Sequence, residues 1–327
     1  MRQFGSGARI AGALTVLVAT QTALAQEQSA PAVGKQVRIV VASIGGTGPD
    51  FVARLIAPKL AEAIKQSVVI DNRPSANGIA AAQYAARAPA DGSTLMMGNA
   101  GTHAINAALY RKLDYDPVKD FAAISEIAAV PLALVVHPSV PARSVKELIA
   151  LAQKSPGKLN IAIAGAAGEL MGNALKLQAG VTMTNIPYKG GAQAATAVIA
   201  GEADMVLTTY VVIGAHVESG RLRVLGVTSP QRMPQLPNVP TIAEGGLAGY
   251  EGEQWYGLFA PARTPAPMID LLNKEVVRIV ATPEINERLL ATGHRIIAGS
   301  AQSLADKVRR EIEKTRKIMI ASGMPQQ

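Results

Sequence analysis

The 327-residue chain carries 32 Lys and Arg against 24 Asp and Glu, a formal net charge of +8, and 49% of its residues are hydrophobic. This composition is typical of a globular protein and not of a disordered one. The absence of cysteine excludes disulfides, thiolate catalysis and cysteine metal sites. Aromatic residues make up only 4% of the chain, and no Lys/Arg run reaches five residues, so a nucleic-acid-binding surface is not expected.

The N-terminus has the pattern of a secretory signal. Arg2 and Arg9 precede an apolar run over 10–19, and Ala23-Leu24-Ala25 supplies a small-residue cleavage site. An uncleaved membrane anchor is the alternative, but the run is shorter than the roughly 20 apolar residues that span a bilayer. We expect residues 1–25 to be removed and the mature protein to be periplasmic.

Short apolar runs alternate with longer helical stretches through the rest of the chain. Strands are expected at 37–42, 67–70, 94–97, 132–137, 159–164, 184–187, 205–208 and 222–228. Helices are expected at 50–65, 78–86, 145–153, 169–179, 193–200 and 213–219. This alternation predicts an α/β fold with mostly parallel sheets covered by helices.

Two proline-rich segments, 229–241 and 261–267, flank an extended stretch at 252–260. Proline seldom occupies central strands, so these segments are expected to connect elements. The stretch between them could return the chain from a second domain to the first. Helices expected at 267–281, 283–292 and 303–322 would then pack on the first domain.

A glycine-rich turn follows the first strand. Gly45, Gly46 and Gly48 precede an amphipathic helix, and backbone N–H groups at a helix N-terminus favour an anion. A dinucleotide fingerprint is a weaker interpretation, because Phe51 stands where close packing needs a small residue. Asp50 could be catalytic, although its position also suits a capping interaction at the helix N-terminus.

Nucleophilic catalysis has little support, since the chain has no G-x-S-x-G turn and its four histidines show no metal-ligand spacing. His103 is the candidate base, in a loop expected at 98–103, but a structural role is the more common one. Small-residue loops recur after the strands, at 42–48, 98–103, 164–169, 188–191 and 208–210. Ligands of open α/β sheets lie beyond the carboxyl ends of strands, so these loops could face one another across a cleft.

Long ordered motifs carry a family resemblance. The stretches "IGGTGPDFVARLIAPKL", "VVIDNRPSANGIAAAQYAARAPADGSTLMMGN", "IPYKGGAQAATAVIAGEADM" and "VPTIAEGGLAGYEGEQWYGLFAPARTP" resemble the substrate-binding proteins of tripartite tricarboxylate transporters, the Bug receptors. The resemblance covers about 37–323. It implies a periplasmic binding protein-like (type II) fold, with two α/β domains around a cleft with a hinge.

The resemblance also implies the domain bounds and the site. Domain 1 would combine 26–129 with 251–327, and domain 2 would span 130–250. The ligand-binding residues would lie on the loops of both domains: Ile44, Gly45, Gly46, Thr47, Gly48, Asp50, Asn99, Gly101, Thr102, His103, Gly165, Ala166, Ala167, Gly168, Glu169, Tyr188, Lys189, Thr208, Thr209 and Tyr210. Relatives grip one carboxylate on the first-domain loops and close the second-domain loops on the other end of the ligand.

Departures from the family pattern bear on the ligand. Relatives often carry polar residues where this chain has the small residues 165–168, so we expect a more apolar distal pocket and a ligand with one carboxylate and a less polar, even aromatic, body. Mono- and dicarboxylates both remain open. Glu169 could meet a polar ligand group or cap its helix.

The resemblance implies a monomeric receptor that serves membrane permease subunits, without catalytic residues, metal or cofactor. A secreted α/β enzyme with His103 or Asp50 as base, and a sensor accessory that presents ligand to a membrane kinase, are the alternatives.

Overall fold

The computed structural model describes residues 36–326 as an α/β fold in which helices cover a mixed sheet. The strands are β1 (Gln36–Val41), β2 (Ser67–Asn72), β3 (Thr94–Asn99), β4 (Phe121–Val136), β5 (Asn160–Ala164), β6 (Thr184–Tyr188), β7 (Met205–Thr209), β8 (Arg223–Val227), β9 (Glu253–Pro261) and β10 (Arg295–Ile296). The α-helices are α1 (Gly48–Ile64), α2 (Ile79–Ala86), α3 (Asn106–Leu109), α4 (Val145–Lys154), α5 (Gly165–Ala179), α6 (Gly191–Ile199), α7 (Tyr210–Glu218), α8 (Ala266–Val280), α9 (Pro283–Ala291) and α10 (Ala301–Ser322).

β1, β2, β3 and β9 form a first strand group. β1 lies between β2 and β3 and is parallel to both, while β9 runs antiparallel to β3. Alternate residues of β1 pack on opposite faces: Ile39 contacts the cluster under α1 and α8, and Val40 contacts the cluster under α2 and α10. Because both faces are covered, the second half of the strand, residues 39–41, is a continuous apolar run, as in buried parallel strands.

β5, β6, β7 and β8 form a second strand group. β5 is parallel to β6 and to β7, and β8 runs antiparallel to β4. This group has its own apolar clusters, one around Leu134 and Leu148 and one around Val135 and Val198.

β4 connects the two groups. Its residues from Phe121 to Pro131 pair with β9, and its residues from Leu132 onward pair with β7 and β8. Proline cannot donate a ladder hydrogen bond, and Pro131 lies at the point where β4 changes partners. The next N–H, that of Leu132, donates to the hydroxyl of Thr228 at 2.8 Å.

The predicted elements are confirmed within a few residues, with some differences. The stretch 121–131 of β4, the short helix α3 and the two-residue strand β10 were not expected. The loop expected at 98–103 is instead the end of β3 followed by a π-helical turn over Gly101–Ile105. α5 begins at Gly165, four residues before its expected start at Glu169.

The expectation of mostly parallel sheets needs correction too. The parallel strands lie within each group, and β4, β8, β9 and β10 make antiparallel pairs. The signal-peptide prediction falls outside the described residues. The described residues belong to one compact unit, and the division into 26–129 plus 251–327 and 130–250 stays a prediction.

Between residues 36 and 326, no helix is both long enough and apolar enough to cross a membrane.

Candidate functional site

The carboxyl ends of the two strand groups point toward each other along β4. β3 runs in the same direction as β4, through the antiparallel β9, whereas β7 runs opposite to β4. The last residue of β3, Asn99, lies opposite Tyr256, which pairs with Ala128; the last residue of β7, Thr209, pairs with Leu132. Ala128 and Leu132 are four positions apart along β4, about 13 Å at 3.3 Å per residue. The strands of the two groups therefore end on either side of this short segment of β4, and the space between their following turns, called the gap below, is the candidate site.

The glycine turn after β1 forms one wall of this gap. Ile44, Gly45 and Gly46 are exposed, and Gly46 has a φ of 82°, in the left-handed region that glycine adopts without strain. The Thr47 hydroxyl bonds Ser43 Oγ at 2.6 Å and Ile44 O at 2.9 Å, and it makes no cap on α1. The first turn of α1 is thus left without a side-chain cap from its N-cap residue, and such N–H groups suit an anion.

The buried carboxylate of Asp50 holds this turn in place through hydrogen bonds. Its carboxylate, 2% exposed, accepts hydrogen bonds from Gly46 N at 2.8 Å, Arg54 Nε at 2.9 Å and Asn72 Nδ2 at 2.9 Å. Burial acts to raise the pKa of Asp50, but the hydrogen bonds from Arg54, Gly46 and Asn72 outweigh it and hold the pKa below its ordinary value. The Gly46 N–H is therefore occupied by Asp50, and Asp50 orders the turn instead of facing the gap.

The Tyr256 side chain lies against the end of this turn, at Gly48. Sequence reasoning did not single out this residue. A Cβ on Gly48 would lie 2.2 Å from the Tyr256 hydroxyl oxygen, so only glycine fits at this first residue of α1. Burial raises the pKa of Tyr256 to about 12. The sequence offered a weak signal: Trp255 and Tyr256 are adjacent in a strand, so their side chains point to opposite faces.

The segment at 98–103 is more buried than expected. Asn99 Oδ1 accepts the Thr102 N–H at 3.0 Å, and the Thr102 hydroxyl bonds His103 Nδ1 at 2.9 Å. The His103 ring is fully buried and stacks on Phe259 with 3.9 Å between ring centroids. Burial lowers the pKa of His103 to about 3, so the ring is neutral. His103 is a core residue and not a contact of the gap; Asn99 and Gly101 are the half-buried positions here.

The segment at 165–169 is helical and packs on the first strand group. Ala166 and Ala167 contact the apolar cluster that includes Ala100 and Ile105. Gly168 is buried, and Gly165 is exposed with a positive φ at the start of α5. Glu169 is the fifth residue of α5, so its suggested N-cap role is wrong.

The remaining predicted residues lie around α6 and α7. Tyr188 packs on the cluster under α6 and lines a depression on the outer face of that helix, and Lys189 is exposed. The Lys189 N–H donates to Gln193 Oε1 at 3.3 Å.

Thr208 is the polar side chain best placed in the second group. It is 4% exposed, its hydroxyl makes no hydrogen bond to residues 36–326 and is not among the fully enclosed polar atoms that lack a partner, and a Cβ on Gly191 would lie 2.5 Å from its oxygen. Gly191 is the first residue of α6, whose N-cap Gly190 provides no side-chain cap. Thr209 is the N-cap of α7, also without a side-chain cap, and Tyr210 begins that helix with its Cβ against Gly293 of the chain between α9 and β10.

In the part of the chain that the structure describes, no three His, Asp or Glu residues lie close enough to hold a metal ion.

This arrangement defines an α/β binding protein of the periplasmic type, in which strand ends from two groups border one gap. The sequence profile described as "Tripartite tricarboxylate transporter family receptor" (TctC) matches residues 52–324. The chain belongs to this family, and the resemblance found in the sequence is confirmed.

Individual relatives agree with the family. A UPF0065 protein from the tcbD–tcbE intergenic region of Pseudomonas sp. strain P51 is 35% identical over 278 residues, 84% of this chain and 82% of the relative. Among solved structures, R. palustris Rpa4515 with adipate is 36% identical with a TM-score of 0.78, covering 88% of this chain and 97% of its own. MatC from Rhodopseudomonas palustris with bound malate is 30% identical with a TM-score of 0.74, covering 86% and 98%.

Proposed function

We propose that this protein is a periplasmic receptor that captures a small organic carboxylate in the gap between two lobes and delivers it to the membrane subunits of a tripartite tricarboxylate-type transporter. The observation that carries the proposal is the opposed arrangement of strand ends. Helix α1 of one group and helices α5, α6 and α7 of the other all begin at the gap. Each such N-terminus favours an anion by about 0.3–1 kcal/mol when exposed and up to about 2 kcal/mol when partly buried.

The lobes would be the predicted domains, 26–129 plus 251–327 and 130–250. The two strand groups have separate apolar clusters, which supports this division. β4 and β9 are the strands near the boundary, so bending there is the motion that would open and close the gap. A closed gap excludes water and strengthens the hydrogen bonds to the ligand.

The ligand carboxylate would lie at the glycine turn of residues 44–48 and the first turn of α1. Adipate and malate in the two R. palustris proteins support a carboxylate as the ligand class. Exposed Ile44 and Val211 offer apolar surface near the strand ends of either group, which suits a ligand body less polar than malate. The unpartnered hydroxyl of Thr208 favours a second polar group at the far end, so a dicarboxylate with an apolar middle fits better than a purely apolar tail.

Catalysis is not part of the proposal. The two candidate bases are unsuited to it, because His103 is enclosed in the core and the Asp50 carboxylate is occupied by three hydrogen-bond donors. Incubation of purified protein with a bound carboxylate should return the ligand unchanged. Conversion of that ligand into a product would instead support the alternative of a secreted α/β enzyme.

Two measurements test the proposal. Mass spectrometry of small molecules released from freshly purified protein should identify a carboxylate. Isothermal titration with adipate, malate, citrate, pentanoate and benzoate should then give saturable 1:1 binding to at least one of the acids. Absence of binding to every acid, together with an empty mass spectrum, would contradict a carboxylate receptor.

The location and the transporter partner need their own test. Fractionation of cells should recover the mature protein, beginning at Gln26, in the periplasm. Deletion of the gene should abolish uptake of the identified acid. Loss of transcription with unchanged uptake would indicate a sensor accessory instead.

A further inference from the structure

Tyr256 stands at the glycine turn without belonging to any of the glycine-rich loops. It is the fourth residue of β9, and its backbone is fixed by pairing with Asn99 on one side and Ala128 on the other. Its ring belongs to the apolar cluster that includes Val52 and Leu55 of α1. The strand and the helix together hold the phenol in one position.

The hydroxyl of that phenol reaches the N-terminus of α1. Its oxygen occupies the space where any side chain on Gly48 would begin, 2.2 Å from the site of a Cβ. The Tyr256 side chain is 7% exposed, and its hydroxyl makes no hydrogen bond to the protein within residues 36–326. Its oxygen is not among the fully enclosed polar atoms that lack a partner, so this buried ring keeps its hydroxyl accessible to a ligand. A buried phenol usually pairs its hydroxyl at the polar end of the ring.

The neighbouring groups identify which ligand group suits this hydroxyl. The N-terminus of α1 has no side-chain cap from Thr47, and because Pro49 has no N–H, the donors of its first turn are the N–H groups of Gly48 and Asp50. The nearby carboxylate of Asp50 is already bonded to Gly46, Arg54 and Asn72. A group that satisfies both the phenol O–H and helix N–H groups must accept several hydrogen bonds, and a carboxylate does so best because it is charged and presents two oxygens.

We propose that Tyr256 is a ligand-binding residue that donates its hydroxyl proton to the carboxylate held at the N-terminus of α1. This inference rests on the proposed receptor function and adds a neutral donor from β9 to the backbone donors of the glycine turn. The high pKa of the phenol keeps the hydroxyl protonated, and therefore a donor, through the physiological range. Gly48 is then required for the same reason, since a larger residue would displace the hydroxyl.

The helix N–H groups beside the phenol make the site selective for a carboxylate. A protonated hydroxyl can donate to a carboxylate or accept from an amide, but the adjacent helix N–H groups can only donate. A ligand amide would place its own NH₂ against these donors. The site therefore favours a carboxylate over the corresponding primary amide.

The test compares Tyr256→Phe with Tyr84→Phe, which removes a phenol hydroxyl from an exposed ring stacked under Arg73. Calorimetry uses the panel acid that wild type binds most tightly, with adipate as the first choice. Loss of one hydrogen bond to a charged group should raise the Kd of the Tyr256→Phe variant about 10-fold or more, while Tyr84→Phe stays within about 2-fold. Circular dichroism melting checks that both variants are folded.

The outcomes separate this inference from the receptor function. Equal affinity of Tyr256→Phe and wild type would overturn the role of Tyr256 and leave the receptor function standing. Failure of wild type to bind any acid of the panel would overturn both. If Tyr256→Phe does not fold, a crystal structure of wild type with the acid decides: a phenol oxygen about 2.5–2.8 Å from a carboxylate oxygen supports the role, and a carboxylate bound elsewhere overturns it.

Discussion

The carboxylate of Asp50 accepts the N–H of Gly46 at 2.8 Å, four residues earlier in the chain. This bond fixes the glycine turn from within the protein, and Arg54 and Asn72 hold the same carboxylate in place. The turn is therefore shaped before a ligand arrives. A preorganised turn loses less conformational entropy on binding than a flexible one.

Removal of that carboxylate should loosen the turn. We expect Asp50→Ala to lower the free energy of unfolding by about 1–2 kcal/mol, because the hydrogen bonds from Gly46, Arg54 and Asn72 to this carboxylate are lost. Carboxylate affinity should fall as well, since the turn must then be ordered on binding. Urea denaturation and calorimetry measure the two effects. Asp114→Ala is the control at an exposed aspartate, with an expected change within about 0.5 kcal/mol; an equal effect in both variants would argue against the supporting role of Asp50.

Two neutral histidines should make stability depend on pH. Burial lowers the pKa of His103 to about 3 and that of His294 to about 4, against an ordinary value of 6.5. The unfolded chain takes up protons below pH 6.5 that the folded chain does not, so their stabilising contribution is full above 6.5 and is lost as the pH falls. Each should cost about 1.4 kcal/mol per pH unit between pH 6.5 and its folded pKa.

Urea denaturation at pH 7, 6, 5 and 4.5 checks this dependence. His103→Gln should flatten part of the slope even if it lowers stability at every pH. A wild-type free energy of unfolding that is constant between pH 6.5 and 4.5 would contradict the neutral buried state.

Thr208 should discriminate between dicarboxylates and monocarboxylates. Thr208→Val keeps the shape of the side chain and removes the hydroxyl, so affinity for adipate should fall about 5-fold while affinity for pentanoate is unchanged. Thr196→Val is the control, on an outer turn of α6 where the hydroxyl bonds Ala192 O at 3.0 Å. Equal loss for both acids, or none for adipate, would show that Thr208 does not meet the far end of the ligand.

Trp255 is the single tryptophan of the chain, and its fluorescence should respond to movement of β4 and β9. It is fully buried in β9, pairs with Ala129 of β4, and lies 5.6 Å from the Lys307 ammonium. Bending of β4 and β9 on ligand capture should change the distance to that charge and hence the emission. A fluorescence titration should saturate at the Kd found by calorimetry, and no change at saturation would exclude movement of these strands.

Local patterns in the sequence located much of the fold. Three features are each marked by residues within or next to the element itself. They are the glycine turn before α1, the strand β9 between the proline clusters, and the three C-terminal helices. The strand order and the opposed directions of β3 and β7 depend on contacts between distant segments. The sequence therefore indicated that the loops could face a cleft, but not how the strands on either side of it are arranged.

The misses also have physical reasons. The stretch 121–131 contains Ala-rich sequence with Ser125, Glu126 and Pro131, which does not suggest a strand, yet pairing with β9 makes it one. Local sequence predicts a loop at His103, because its burial against Phe121 and Phe259 comes from strands β4 and β9 further along the chain. Tyr256 was passed over for the same reason, since its partner Gly48 is distant in sequence.

A crystal structure of the protein with the acid that it binds most tightly tests the central claim most directly. We expect one ligand carboxylate at the N-terminus of α1, within hydrogen-bond distance of backbone N–H groups of the turn 44–48 other than that of Gly46, and the rest of the ligand directed toward α6 and α7. A ligand bound outside the gap between the strand ends of β3 and β7, or a carboxylate without contact to α1, would contradict it.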